Sequence, residues 1–156
     1  MLKNFLKGRK TEKGFTLVEF LVVLGLIFVL VAVIAMAAYK STQRTRVSRA
    51  KSEVMTIVAA AEDWGGNKAK KFNGITMKKL ADSGLLSSDL AKTKYLNPWG
   101  GKYDINPSGA SDTTFTITIN GMPTQQAVDL ADNLRPISLD QGNSVPQGDT
   151  VTTEFR

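Results

Sequence analysis

The chain has 156 residues, a formal net charge of +6, and neither histidine nor cysteine. Those two absences exclude Ser-His-Asp and Cys-His nucleophiles, zinc held by Cys or His, and any disulfide. The charge is no footprint for nucleic acid: the first fourteen residues hold Lys3, Lys7, Arg9, Lys10 and Lys13 against Glu12, and the remaining 15 basic and 13 acidic residues leave only +2.

The length suits one domain plus a targeting or anchoring element. From Phe20 to Tyr39 the sequence FLVVLGLIFVLVAVIAMAAY carries no charge over twenty residues. At 1.5 Å per residue that is about 30 Å of helix, the thickness of a hydrocarbon core. A helix buried in a soluble domain keeps a polar face, and this run has none, so membrane residence is the stronger reading. Gly25 fits either the close approach of a neighbouring helix or plain tolerance inside a membrane.

An ordinary secretory signal would also place a basic leader before an apolar stretch, and Ala35-Met36-Ala37 resembles its cleavage site. Against it stand the long leader, an apolar run beyond about 15 residues, and Glu19 at the leading edge. A carboxylate at bilayer depth costs a few kcal/mol and marks a function whose partner must be named.

The stretch KGFTLVEF, Lys13 to Phe20, has Gly14 followed by Phe15-Thr16-Leu17-Val18-Glu19 and then the apolar run. It resembles the class III signal of type IV pilins and related pseudopilins. The resemblance implies that a prepilin peptidase on the cytoplasmic face cuts after Gly14 and methylates the new amino terminus, Phe15. Cleavage would leave the helix in place and create an ammonium one helical turn from Glu19. Two such charges about 4 Å apart attract by roughly 4 kcal/mol at an effective dielectric near 20, comparable with the cost of holding one charge in the apolar layer. The pair can close within one chain or between neighbouring subunits, and the second arrangement builds a filament. Lys40, Arg44, Arg46, Arg49 and Lys51 crowd the far side of the span, so charge bias alone does not orient it. The resemblance places the leader in the cytoplasm and the carboxy-terminal domain outside.

Past the span, Val47, Ala50, Val54, Ile57, Ala61 and Trp64 recur at spacings of three and four, an apolar seam on a helix that continues to Gly65-Gly66. Short helices are predicted from Thr76 to Ser83, closed by Gly84, and from Ser88 to about Lys94. The turn NPWGG, Asn97 to Gly101, follows, with Trp99 packed beneath it. Strict alternation makes TFTITI, Thr114 to Ile119, the clearest strand. KYDI, Lys102 to Ile105, and VTTEF, Val151 to Phe155, are its expected antiparallel companions. Pro123 suits the first turn of a helix in which Ala127, Ala131 and Leu134 share a face, ending at Arg135-Pro136.

The expected architecture is α+β and pilin-like: a long N-terminal helix, half transmembrane and half amphipathic, packed on a small antiparallel sheet. Its parts are a leader over 1–14, a transmembrane or filament-core helix over 15–39, an amphipathic continuation over 40–65, and a globular head over 66–156. Beyond residue 40 the resemblance is architectural and closest to type IVb pilins, through NPWGG before a strand and GMPTQQAVDLADNL, Gly121 to Leu134, as a helix after one. Two features depart from the family. The C-terminal cysteine pair is missing, which leaves LDQGNSVPQGDT, Leu139 to Thr150, without a covalent tie. The proline that many relatives carry late in the apolar helix is replaced by VIAMAAY, Val33 to Tyr39.

Asp129, Asp132, Asp140, Asp149 and Glu154 lack the ligand spacing of a calcium loop, so neither metal nor cofactor is expected, and no catalytic constellation is present. The functional expectation is a structural pilus subunit, not an enzyme. Its implied partners are further copies of itself in a homopolymeric filament, the prepilin peptidase, the inner-membrane assembly machinery, and membrane lipid before assembly. The precursor would sit in the inner membrane with its head outside the cytoplasm, and the product in an extracellular pilus. The competing readings are a pseudopilin of a type II secretion system and a membrane-anchored or secreted binding module.

Overall fold

A computed structural model describes residues 14–66, 71–91, 96–108, 113–139 and 144–156, so the leader up to Lys13, the expected helical residues Lys92, Thr93 and Lys94, and Asp140 lie outside the described residues. Helix α1 runs from Leu17 to Gly66, fifty residues. The chain divides into two compact units, one ending at Lys40 and the other running from Ser41 to Arg156. In the first, the apolar window is long enough to cross a membrane and none of it is buried by the chain itself.

The second unit is α+β with one core. Its portion of α1 buries Val47, Ala50, Val54, Ile57 and Ala61, the predicted seam, joined by Ala60 and Gly65, while Trp64 is half-buried. After α1 come helix α2, Met77–Asp82, helix α3, Ser88–Ala91, strand β1, Tyr103–Ser108, strand β2, Thr114–Ile119, helix α4, Thr124–Leu134, strand β3, Ser144–Gln147, and strand β4, Thr150–Phe155. The sheet order is β1-β2-β4-β3, and every pairing is antiparallel. Alternation sends Phe115, Ile117 and Ile119 of β2 and Val151, Thr153 and Phe155 of β4 inward, where α4 adds Ala127, Leu130, Ala131 and Leu134. Phe115 is fully buried, its ring centroid 4.7 Å from that of Phe72 and 5.7 Å from that of Phe155. Aromatic pairs at such separations add about 0.5–1.5 kcal/mol each beyond area burial.

Polar ties fix the pieces to one another. The Tyr103 hydroxyl of β1 donates to Glu53 Oε2 at 2.6 Å, and Arg49 Nε donates to Glu53 Oε1 at 2.8 Å. This charge-assisted clamp joins α1 to a strand fifty residues later and is mostly screened from water, since the Glu53 side chain is only 12% exposed. In the NPWGG turn, Asn97 Oδ1 accepts from the backbone N–H of Trp99 and of Gly101, and Asn97 Nδ2 donates to the Asn120 carbonyl at 2.7 Å. Trp99 is half-buried against the core, with its indole N–H donating to Gln126 Oε1 on α4.

α2 keeps the expected limits, with Thr76 accepting from the Lys79 N–H as N-cap and Ser83 ending it before Gly84 in the left-handed region. The structure departs from expectation at three places. β1 is longer than KYDI, because pairing with β2 continues through Pro107 and Ser108. Pro123 stands at the N-cap of α4, and the chain continues one 3-10 turn, Arg135–Ile137, past the predicted stop. The segment without a covalent tie contains a strand that was not expected, β3, which pairs with β4 from Ser144 to Gln147. Behind that pairing the buried hydroxyls of Ser144 and Thr153 lie 2.9 Å apart, each satisfying the other. The two outer strands, β1 and β3, each contain a proline, Pro107 and Pro146.

Gly101 is the tightest point of the head: a Cβ there would stand 1.8 Å from the Asn120 carbonyl oxygen. Gly101→Ala should therefore destabilise the head by about 2–4 kcal/mol, whereas Gly66→Ala, where an added Cβ meets nothing within 4 Å, should leave stability nearly unchanged. Urea unfolding followed by tryptophan fluorescence of the two variants measures the difference.

Candidate functional site: the first turn of the long helix

The α1 helix begins where its sequence supplies its own cap. Leu17 is the first helical residue, so Thr16 is the N-cap and Glu19 the third residue of the first turn. Thr16 Oγ1 accepts from the Glu19 backbone N–H at 3.2 Å, and Glu19 Oε2 accepts from the Thr16 backbone N–H at 2.8 Å and from its hydroxyl at 2.9 Å. This is a capping box, in which Ser/Thr and Glu three residues apart satisfy two orphan donors reciprocally. The helix proper starts with the Phe20 N–H donating to the Thr16 carbonyl at 3.1 Å. A carboxylate in the first turn also complements the positive end of the helix dipole.

The three residues singled out in the sequence fall together at this end. Gly14 lies before the helix on exposed, non-helical backbone, Phe15 follows it exposed, and Glu19 closes the box. What the sequence reading missed is Thr16, which holds the Glu19 carboxylate within the lone chain. The signal was present as Thr16-Leu17-Val18-Glu19, a Ser/Thr-x-x-Glu pattern directly before an apolar run. A carboxylate has about four lone-pair positions and Thr16 takes two of them, both on Oε2, so about two are left for a charged partner. Among the described residues, no group of three acidic side chains could hold a metal ion.

Comparison with known families places this geometry. The prokaryotic N-terminal methylation motif matches residues 9–37, a stretch that takes in Gly14, Phe15, Thr16, Glu19 and most of the apolar run. The family described as PilS N terminal matches residues 44–152. The chain belongs to the PilS N-terminal family and is a type IV pilin. Two proteins named Fimbrial protein from Pseudomonas aeruginosa are each 48% identical to this pilin over 54 residues, which is 34% of its chain and 34% of theirs. The pilin thus spans about a third of the length of the curated relatives it matches.

Thr16→Val removes the cap hydroxyl at nearly constant volume and should cost the first turn about 1 kcal/mol. The Glu19 amide is then expected to exchange with solvent several-fold faster in detergent micelles, read by NMR, with Thr16→Ser restoring its protection. Unchanged exchange in Thr16→Val would show that the box does not hold the helix start.

Proposed function

We propose that this pilin is the structural subunit of a type IV pilus: cut after Gly14 by a prepilin peptidase, methylated at Phe15, and bundled through its apolar helix into a homopolymeric filament. One observation carries the reading. The run from Phe20 to Tyr39 presents its apolar side chains outward with none of the window buried, directly behind a capped carboxylate. Fourteen of these side chains are Phe, Leu, Val, Ile or Met. At about 1.5–3 kcal/mol for each, leaving them in water would cost on the order of tens of kcal/mol. Lipid covers them in the precursor, and other copies of the same helix cover them in the filament.

In that assembly Glu19 receives the Phe15 ammonium of a neighbouring subunit while keeping its bonds to Thr16, and this charge pairing sets the axial register. Gly25 supports close packing, since a Cβ there meets nothing in the single chain and its bare face is open to another helix. The same reading divides the chain into a leader over 1–14, a membrane or filament-core helix over 15–39, an amphipathic continuation over 40–65 and a head over 66–156. The precursor sits in the inner membrane with its head outside the cytoplasm, served by the inner-membrane assembly machinery. The NPWGG turn before β1 and α4 after β2 support placing it among type IVb pilins.

Mass spectrometry of the mature amino terminus tests the proposal: a chain beginning at N-methylated Phe15 supports it, and one retaining the leader or beginning near Ala38 or Tyr39 refutes it. Gly14→Val should block cleavage. Glu19→Ala should be processed normally yet enter filaments poorly, and wild-type filament yield from that variant would contradict the charge pairing. Surface filaments that vanish on deletion while secretion continues would separate a pilus from a pseudopilus.

A further inference from the structure

The densest charge on α1 follows its apolar run. Residues 41–53 hold Arg44, Arg46, Arg49 and Lys51 against Glu53 alone, and Glu53 already accepts from Arg49 and Tyr103. Arg44 and Arg46 are exposed, and among the described residues neither makes an ion pair. Hydroxyls are interleaved with the guanidinium groups, so that Arg44, Thr45, Ser48, Arg49 and Ser52 line one shallow groove. Planar guanidinium forks flanked by hydroxyl donors form a set suited to phosphate oxygens.

The source of the phosphate follows from position. Arg44 comes five residues and Arg46 seven after Tyr39, about 7 and 10 Å of helical rise. The headgroup layer on each face of a bilayer is about 5–8 Å thick, and long basic side chains reach back along the helix toward such a layer. These charges lie on the side opposite the leader, where basic residues do not serve orientation. We infer that Arg44 and Arg46 form a basic collar that binds anionic phospholipid headgroups in the leaflet facing the head and fixes how deep the precursor sits. The inference rests on the proposed spanning of the membrane by the apolar run.

Because the chain has no cysteine, a dye can be placed uniquely at the exposed Ser41→Cys, outside the groove, on the full chain, reconstituted in phosphatidylcholine vesicles containing phosphatidylglycerol. Quenching by headgroup-labelled phosphatidylglycerol is compared with quenching by headgroup-labelled phosphatidylcholine. The expected result is a preference for the anionic quencher that falls about fivefold for each of Arg44→Gln and Arg46→Gln and shrinks as salt is added. Equal quenching by the two lipids, or a preference unchanged in both variants, overturns the collar. Quenching that follows the protein-to-lipid ratio and ignores lipid charge assigns the face to a second copy and overturns it too. A second dye at Val29→Cys with an acyl-chain quencher reports insertion separately. Quenching at Val29 without anionic preference at Ser41 refutes the collar alone, whereas no quenching at Val29 refutes the spanning reading and the collar with it.

Discussion

One sequence of helical residues has to satisfy two different surroundings, and that constraint shapes everything else in the chain. Through Tyr39 the side chains are apolar on every side, which suits only an environment as greasy as themselves. From Val47 onward the apolar positions narrow to a seam and most of the remaining helix surface, Met55 and Ala59 aside, is charged or hydroxylated, which suits a helix with a protein on one side and water on the other. The transition occupies only a few residues, from Lys40 to Arg46, and it is there that the basic side chains gather.

The carboxy-terminal unit is built to hold such a helix without any covalent cross-link. A carboxylate on α1, Glu53, is gripped by an arginine one turn before it and by a tyrosine from β1. Apolar burial does most of the remaining work, with Phe115 at its centre between Phe72 and Phe155. On the last hairpin, the paired hydroxyls of Ser144 and Thr153 stand directly across from each other in the register. Truncating one of them would strand the other, at about 1–3 kcal/mol for an unsatisfied buried group. The final strand is therefore held by its neighbours on both sides, β2 and β3.

Much of this was legible in the residues, and the gaps have physical causes. Period-two alternation located β2 and β4 because each has one face in the core and one toward solvent. Spacings of three and four located the α1 seam for the same reason. β3 was not legible: SVPQ is four residues long with a proline in it, and only its partner strand makes it a strand. Nor does any local pattern announce the pairing of Glu53 with Tyr103, which depends on tertiary geometry. At the amino end the residues point to Gly14, Phe15 and Glu19, with the partner of Glu19 expected in the ammonium that cleavage would create on Phe15, of the same chain or of a neighbour. The Thr16-Leu17-Val18-Glu19 capping pattern is legible in the residues, and it supplies Glu19 with partners by backbone and hydroxyl hydrogen bonding before any ammonium exists.

The prolines on the two outermost strands carry a consequence for the proposed filament. An exposed strand edge is a template on which any other strand can add, and tight crowding of many identical heads would favour such additions. Pro107 and Pro146 each remove a backbone donor from a boundary of the sheet, so neither rim offers an unbroken ladder to a neighbour. Growth by sheet extension, the route to amyloid, is thereby discouraged at both rims, which leaves growth of the proposed filament to the helices.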